Sequence, residues 1–257
     1  MPKNISFARI FQWGINPLSK AFLMCYNESM KFDATHYSNL ICGEKKEQFS
    51  RFFALLSQYN ARFNLTAITE ENEVYEKHFL DSVLGEALFP KNAHVLEVGS
   101  GAGFPSLPLK ICRDDLSFTL VESTGKKCEF LKTAVRELSL SNVTVLNGRA
   151  EELAKDPLYR EKYDICCARA VARLNTLAEY CLPFVKVGGA MIAYKADADE
   201  EVKEAKNAIE KLGGKEVKVF RYSLPASGNR TLVYIPKGRP TPKLYPRGQG
   251  KERKNPL

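Results

Sequence analysis

Seven short apolar runs, which alternate with amphipathic stretches from residue 94 onward, limit the possible folds of this chain more than any other feature. Alternation at this spacing is typical of βαβ units, and it predicts an α/β fold with a mostly parallel, seven-stranded sheet flanked by helices. The last two runs have no helix between them, so we expect at least one of them to run antiparallel at the end of the sheet. The predicted strands are His94–Val98, Phe118–Glu122, Val143–Leu146, Asp164–Ala168, Ala190–Tyr194, Val217–Tyr222 and Thr231–Ile235, and the predicted helices cover 105–112, 125–138, 150–155, 170–183 and 199–212.

Two amphipathic helices precede this region and predict a small helical lobe. In the first, apolar residues recur every three or four positions between Phe49 and Phe63. The second is predicted to run from Glu70 to Leu88, with Thr69 as its N-cap and acidic residues in its first turn. The expected division of the chain is an N-terminal extension of unknown role at 1–42, a helical lobe at 43–92, a sheet-containing domain at 93–236 and a basic tail at 237–257.

The first 30 residues differ in composition from the rest and contain no acidic residue before Glu28. They lack the clean apolar stretch and the small-residue cleavage site of a secretory signal. An organellar presequence fits only their shortage of acids. We therefore expect either a peripheral extension or an upstream start codon, with Met30 as the natural beginning of the protein.

The positive charge of the chain is concentrated at its C-terminal end. The formal net charge is +8 over 257 residues, and residues 237–257 contribute +6 of it, because seven basic residues there face Glu252 alone. Four prolines among these charges predict an extended tail. A cationic tail on a nearly neutral body indicates a polyanionic partner, with nucleic acid first. The candidate RNA contacts of the tail are Lys243, Arg247, Lys251 and Arg253.

Cysteine usage and hydropathy exclude several other classes of protein. The seven cysteines show no Cys-x-x-Cys or Cys/His spacing, so we expect neither a disulfide framework nor a metal site, and a reducing cytoplasm is the natural location. No stretch approaches the roughly 18 consecutive apolar residues of a membrane helix. We therefore expect a soluble, cytoplasmic protein that makes no contact with a membrane. We also expect the protein to be a monomer.

A glycine-rich turn follows the first predicted strand and carries the densest functional signal. Gly99, Gly101 and Gly103 are spaced Gly-x-Gly-x-Gly, and Phe104 occupies the position at which a dinucleotide fingerprint requires its third glycine. Glycines allow a backbone to approach a ligand closely. Glu97, just before the turn, suits an ammonium group better than an anionic pyrophosphate. The pattern resembles the motif of class I S-adenosylmethionine (SAM) methyltransferases, which makes SAM the expected cofactor.

Two further segments at predicted strand ends support a nucleoside site. Glu122 ends the second strand, 23 residues after Gly99, and an acid there can accept hydrogen bonds from both ribose hydroxyls. The run Gly148-Arg149-Ala150-Glu151 follows the third strand, where the edge of an adenine would lie. The alternative is a nucleotide-like fold that binds a different adenosine ligand.

The segment after the fourth predicted strand faces the methyl acceptor in such folds. It lacks the Asn/Asp-Pro-Pro-aromatic element of amine methylation, and Cys166 and Cys167 lie in an apolar strand without the proline that usually accompanies a nucleophilic cysteine. We therefore interpret both as small buried hydrophobes. Arg169 remains, and it could bind guanine oxygen 6 or the SAM carboxylate, or else form an ion pair. Guanine nitrogen 7 has a free lone pair and needs no general base.

His78, Asp81 and Ser82 share one face of the second predicted helix. With Asn64 and Thr66 they could order the target base at the mouth of an acceptor pocket, or they could form a packing network that holds the helical lobe on the sheet. Both interpretations stay open at this point. Arg149, Arg169 and Arg173 could extend a basic surface from the tail toward the site.

Three blocks of sequence begin at Asn64, His78 and Gly99, and three others contain Gly148-Arg149-Ala150-Glu151-Glu152, Ala168-Arg169-Ala170-Val171-Ala172 and Tyr245-Pro246-Arg247 with Asn255-Pro256. Together, in this order, the six blocks resemble the RsmG (GidB) family. The family methylates guanine N7 in the 530 loop of bacterial 16S ribosomal RNA with SAM. The resemblance implies that function, with 16S rRNA or the 30S subunit as partner. It also implies SAM contacts at Gly99, Phe104, Ala150, Glu151 and Arg169.

Two positions depart from the pattern of the family. Glu97 stands where the family usually has aspartate, and Ser106 replaces a common glycine after Pro105. If that glycine had a positive φ, we expect the start of the following helix to be slightly rearranged. The alternative functions are a methyltransferase that acts on a small molecule or a protein, and a SAM-binding regulator without catalytic activity.

Overall fold

The structure of the protein is a computed structural model, and it describes residues 41, 43 and 45–257. The expectations for the first 30 residues, including Met30 as a start, therefore lie outside the described residues. None of the described helices is long and apolar enough to cross a membrane.

A seven-stranded sheet forms the centre of the molecule, in the order β3-β2-β1-β4-β5-β7-β6. Strands β1 to β5 pair in parallel, whereas β7 is antiparallel to both β5 and β6. The predicted fold class and the antiparallel end of the sheet are both confirmed. The strands are β1 (His94–Val98), β2 (Ser117–Glu122), β3 (Val143–Asn147), β4 (Tyr163–Arg169), β5 (Val185–Lys195), β6 (Lys218–Leu224) and β7 (Gly228–Pro236).

Side chains of the central strands alternate between two apolar clusters, one on each face of the sheet. In β4, for example, Ile165 and Cys167 belong to one cluster, and Cys166 and Ala168 belong to the other. Both cysteines are fully buried, which agrees with their interpretation as small hydrophobes. Helices cover both faces because neither cluster can remain in water.

The helices of the N-terminal lobe cover the first cluster together with two helices of the sheet domain. Helix α1 (Lys46–Phe63) places Phe49 and Phe52 in the same cluster as Val95 of β1. The lobe and the sheet therefore share one core. The other helices in chain order are α2 (Glu71–Val74), α3 (Asp81–Val83), α4 (Ser106–Cys112), α5 (Gly125–Glu137), α6 (Ala150–Leu153), α7 (Leu174–Cys181), α8 (Asp199–Glu204), α9 (Lys206–Lys211) and α10 (Lys251–Lys254).

The helix predicted from Glu70 to Leu88 is present over most of this range, but it is not one continuous α-helix. A π-helical stretch, Tyr75–Leu80, separates α2 from α3, and a 3₁₀ turn follows at Glu86–Leu88. The N-cap is Glu70 rather than Thr69, and it makes no side-chain capping bond. Such π-helical stretches are rare and are often found at functional sites. Here the stretch contains His78, whose side chain is held by contacts from outside the helix.

Two other predicted helices differ from the observed ones. The helix predicted at 170–183 begins only at Leu174, because Ala170 has a φ of +56° that no α-helix accommodates. The helix predicted at 199–212 is interrupted at Ala205. Ser106 has no positive φ and begins α4 normally.

The C-terminal residues are folded onto the body of the protein, so the prediction of an extended tail was wrong. Lys237 is fully buried, and its Nζ donates hydrogen bonds to the carbonyl oxygen of Leu182 and to Thr241 Oγ1, both at 2.7 Å. Residues Lys251–Lys254 form a helical turn whose Glu252 is fully buried. These contacts join residues far apart in sequence, and they outweigh the local preference of the prolines.

Candidate active site

The glycine-rich turn joins β1 to α4 at the carboxyl edge of the parallel strands, where ligands bind in open α/β sheets. Gly99, Gly101 and Gly103 have φ values of +68°, +54° and +88°, which favour glycine. A Cβ atom at Gly103 would lie 2.4 Å from Leu107 Cδ1, and one at Gly99 would lie 2.7 Å from Val171 Cγ2. At Gly101 the nearest atom would be 3.8 Å away. Internal packing therefore requires two of the glycines, and only Gly101 borders open space.

Glu122 lies directly beside this turn, as the sequence predicts. One carboxylate oxygen accepts a hydrogen bond from the backbone N–H of Gly101 at 3.0 Å, and the other accepts one from the N–H of Thr124 at 2.8 Å. The backbone N–H of Gly148 donates to the carbonyl oxygen of Glu122 at 3.0 Å. The ends of β1, β2 and β3 thus meet at one residue, Glu122, through its carboxylate and its backbone carbonyl.

Residues 148–151 form the next wall of the site. Arg149 is the N-cap residue of α6, and Ala150 and Glu151 form the first turn of that helix. Ala150 is buried, Glu151 is half-buried and Arg149 is exposed. The structure therefore brings the predicted adenosine-binding residues together at one edge of the sheet.

Glu97 is a fully buried acid on β1. Neither carboxylate oxygen has a hydrogen-bond partner in the described part of the chain, although Ser106, the charge of Arg169 and Ser100 act against the effect of burial on its pKa. Burial raises the pKa of Glu97 to about 8. An isolated buried carboxylate is costly unless it is protonated or meets a cation. This acid beside the turn therefore fits a ligand with an ammonium group.

Phe104, at the end of the glycine-rich turn, stacks on His78 with a centroid separation of 4.5 Å. The guanidinium carbon of Arg169 lies 4.9 Å from the centroid of the same Phe104 ring. Arg169 Nη2 lies 2.9 Å from His78 Nδ1, and His78 Nε2 lies 2.8 Å from Thr66 Oγ1. Since the guanidinium can only donate, Nδ1 accepts and Nε2 carries the proton.

His78 is therefore neutral. Burial and then the charge of Arg169 lower its pKa to about 3. Both ring nitrogens are already engaged, one by Arg169 and the other by Thr66. This imidazole holds neighbouring groups in place and has no nitrogen free to remove a proton.

Asp81 completes a buried network with Arg169. Arg169 Nη1 donates to Asp81 Oδ2 at 3.1 Å and to the carbonyl oxygen of Lys77 at 3.0 Å. The hydroxyl of Tyr222, on β6, donates to Asp81 Oδ1 at 2.7 Å, and Ser82 Oγ donates to the carbonyl oxygen of His78 at 2.5 Å. The network joins the helical lobe to β4 and β6, which is the packing interpretation of His78, Asp81 and Ser82. No pattern in the sequence indicates Tyr222, since it lies 141 residues after Asp81.

A cavity of about 390 Å³ lies between the second half of α1 and the loop that follows it. Asn64 and Thr66, the two predicted acceptor residues of this region, both line it. Asn64 ends α1 with a φ of +49°, and Thr66 is held by Asn60, whose side chain exchanges two hydrogen bonds of 2.9 Å with its backbone.

The basic candidates are less concentrated than the sequence predicts. Arg247 is bound to the buried Glu179, with Nη2 2.7 Å from Oε2, so its guanidinium is engaged by the protein. Lys243 lies beside the loop before β4, because the carbonyl oxygen of Pro242 is bound by Arg160. That loop is at the amino edge of the strands, opposite the glycine-rich turn. Arg149, Arg173, Lys251 and Arg253 are exposed.

The order of the seven strands and the ligand-binding edge define a class I SAM-dependent methyltransferase fold. The O-methyltransferase from Bacillus cereus, solved in complex with SAH, has a similar structure, with a TM-score of 0.54 and 15% sequence identity. The match covers 79% of this chain and 96% of that chain. At this identity the likeness establishes the fold alone.

Sequence relatives identify the family within that class. The model of the GidB family, described as rRNA small subunit methyltransferase G, matches residues 45–232. The ribosomal RNA small subunit methyltransferase G of Brevibacillus brevis is 49% identical over 217 residues, which cover 83% of this chain and 91% of that protein. The protein of the same name from Streptococcus pyogenes serotype M12 is 45% identical over 221 residues, with coverages of 84% and 93%. The chain belongs to the GidB family, as the sequence blocks predict.

Proposed function

We propose that this protein transfers a methyl group from SAM to N7 of a guanine in the 530 loop of 16S rRNA. Membership of the GidB family carries the proposal, because the curated relatives are named as ribosomal RNA small subunit methyltransferases. The finer points, N7 and the 530 loop, come from the resemblance of the six sequence blocks to that family. Its partner is 16S rRNA, free or within the 30S subunit, and its location is the cytoplasm, where ribosomal subunits are assembled.

The residues of the glycine-rich edge fit the proposed cofactor. When bound, SAM supplies an electrophilic methyl group on a sulfonium. The unpartnered carboxylate of Glu97 suits the ammonium of its amino-acid part, and the carboxylate of Glu122 suits ribose hydroxyls. The full set of proposed cofactor residues is Glu97, Gly99, Gly101, Gly103, Phe104, Glu122, Ala150, Glu151 and Arg169.

The described side chains near this edge favour an acceptor that needs no proton removed. His78 is neutral with both nitrogens bound, and burial raises the pKa values of the Cys166 and Cys167 thiols well above normal. Guanine N7 attacks through a lone pair that is free at neutral pH. The residues of this chain then have only to align the base and exclude water.

On the acceptor side, we propose that Asn64 and Thr66 face the target nucleotide, with His78 and Asp81 holding Arg169 and Thr66 in place. The exposed cations Arg149, Arg173, Lys251 and Arg253 are the proposed phosphate contacts. We also propose that residues 43–92 and 93–236 act as lobe and methyltransferase domain, with 237–257 as part of the latter, and that the protein acts as a monomer.

Borohydride and aniline cleavage of 16S rRNA maps 7-methylguanine directly and tests the proposal. Treatment with wild-type protein and SAM is expected to produce a new cleavage in the 530 loop. Gly101→Val should abolish this cleavage, because its side chain would enter the space proposed for SAM. The φ of +54° at this position also disfavours valine. Gly228→Val is the matched control, since Gly228 also has a positive φ, +74°, and an open environment, but it is the first residue of β7 and lies outside the proposed site.

Other outcomes would contradict the proposal. Methyl transfer into protein or metabolite pools without any rRNA cleavage would favour a methyltransferase of another substrate. Tight binding of SAM without turnover on either rRNA or 30S particles would favour a regulator.

A further inference from the structure

The C-terminal segment, residues 237–257, lies across α6 and α7 on the second face of the sheet. It starts at the amino edge, where Arg160 donates hydrogen bonds to the carbonyl oxygens of Thr241 and Tyr245 at 2.8 and 2.9 Å. It ends at α10, where Glu252 accepts a hydrogen bond on its carbonyl oxygen from Thr176 Oγ1 at 2.9 Å. Thr176 belongs to the first turn of α7, so the segment follows α7 over most of its length.

A buried ion pair fixes the middle of this segment. Arg247 donates to Glu179 through Nε at 2.9 Å and through Nη2 at 2.7 Å, and its backbone N–H adds a third bond of 2.9 Å. Glu179 is fully buried on α7. A bidentate pair of this kind has a fixed geometry, and loss of the arginine would leave an uncompensated buried carboxylate.

The segment also contacts α6, the helix that carries Ala150 and Glu151. Gly248 lies near the end of this helix, since a Cβ atom there would lie 2.7 Å from Nζ of Lys155, just after α6, and 3.4 Å from Oε1 of Glu152 within it. Burial raises the pKa of Tyr180 on α7, and Arg253 of the segment and Glu151 of α6 are both near enough to act on it, in opposite directions. Hence the segment packs behind one wall of the proposed cofactor site.

Helix α6 spans only four residues, and a helix this short does not keep its position without tertiary support. Support from the sheet side comes through Ala150 and Ala154, which are buried in the second apolar cluster. On the outer side it comes from the C-terminal segment, whose own position depends on Arg247. A displacement of that segment would therefore reach Ala150 and Glu151.

We propose that Arg247 and Glu179 are positioning residues for the adenosine side of the cofactor site. The inference rests on the proposed function, in that SAM is the cofactor and α6 lines its adenosine part. It assigns the conspicuous basic tail a role in cofactor binding, and it removes Arg247 from the RNA contacts that the sequence predicts.

Calorimetry with two ligands, S-adenosylhomocysteine and 5′-methylthioadenosine, tests the inference. The second ligand lacks the amino-acid part. Arg247→Gln is expected to weaken the binding of both ligands by the same factor, about tenfold, which is a usual size for coupling through a packed network. Arg247→Lys, which keeps the charge but not the bidentate geometry, should give an intermediate loss. In assays the KM for SAM should rise while kcat stays within about twofold.

Two variants serve as controls. Lys243→Gln removes an exposed cation of the same segment and should leave both affinities unchanged. Glu97→Gln, on the ammonium side of the site, should weaken the binding of S-adenosylhomocysteine but not that of 5′-methylthioadenosine. A general loss of folded protein is thereby distinguishable from a local effect.

The possible outcomes separate the inference from the proposed function. Wild-type affinity of Arg247→Gln for both ligands, measured well below its Tm, would overturn the inference and leave SAM as the cofactor. If Arg247→Gln lost affinity for S-adenosylhomocysteine alone, the inference would also be overturned, because the effect would then lie on the amino-acid side of the cofactor site. Failure of the wild-type protein to bind either ligand would refute the proposed cofactor and this inference with it.

Discussion

At the scale of single residues, the most informative side chain is the Glu97 carboxylate. Burial raises its pKa from 4.5 to about 8, and neither carboxylate oxygen has a hydrogen-bond partner among the described residues. Between these two pH values the folded chain holds a proton that the unfolded chain releases. The contribution of Glu97 to stability therefore falls as the pH rises through this window. A protein keeps such a group at a cost in stability, which is typical of a binding site.

The raised pKa predicts that binding of S-adenosylhomocysteine releases a proton at pH 7. Glu97 is protonated in the free protein at that pH, and the ligand ammonium favours its ionised form. Affinity should therefore increase as the pH rises toward 8. Calorimetry in buffers of different ionisation enthalpy measures the proton count, which should fall toward zero in Glu97→Gln. An equal proton release from the variant and the wild type would show that Glu97 does not meet the ligand.

At the scale of elements, the Asp81–Arg169 pair joins the helical lobe to the sheet. Asp81 follows the π-helical stretch, Arg169 ends β4, and Tyr222 of β6 adds a third connection. The side chains of Asp81 and Arg169 are only 6% and 14% exposed. Solvent therefore screens their interaction little. Removal of the Asp81 charge would leave Arg169 buried without a carboxylate partner.

Asp81→Asn is expected to lower the free energy of unfolding by about 3 kcal/mol, a usual loss when one member of a buried pair is removed. Glu204→Gln, which breaks the exposed Arg173–Glu204 pair, is the matched control and should leave stability unchanged. Urea unfolding of both variants measures the difference. Equal stability of Asp81→Asn and wild type would mean that the network does not hold the lobe.

At the scale of the whole molecule, folding redistributes the charge that the sequence concentrates in its last 21 residues. Lys237 is buried, with its Nζ 3.2 Å from Oε1 of Glu161, and Arg247 forms an ion pair with Glu179. Deletion of residues 237–257 would remove these contacts, so we expect it to destabilise the fold. A loss of RNA binding by this deletion variant could therefore result from unfolding. The deletion would test RNA binding directly only if the tail were extended and made no contact with the body of the protein.

Point substitutions of exposed cations test RNA binding instead. Arg149→Gln combined with Lys251→Gln should flatten the dependence of log Kd on log salt concentration for 16S rRNA, by roughly 0.7 for each phosphate that the variant no longer neutralises. Lys91→Gln combined with Lys243→Gln removes two exposed cations at the amino edge and should leave the slope unchanged. Equal slopes for both double variants would place the RNA elsewhere.

Sequence patterns are enough to predict the parallel sheet, the glycine-rich turn and the acids Glu97 and Glu122 beside it. These features depend on local periodicity and on backbone geometry that few residue types adopt, so neighbouring residues are enough to reveal them. The family could also be identified from six short blocks in order.

The π-helical stretch, the binding of Arg169 by Asp81 and His78, and the folding of the C-terminal segment depend instead on contacts between residues far apart in the chain. Tyr222 lies 141 residues from Asp81, and Arg247 lies 68 residues from Glu179. Contacts across such separations leave no periodic or compositional trace near either partner. Local preferences of a short helix or a proline-containing tail are worth little by comparison with buried ion pairs and apolar packing, so these contacts set the final structure.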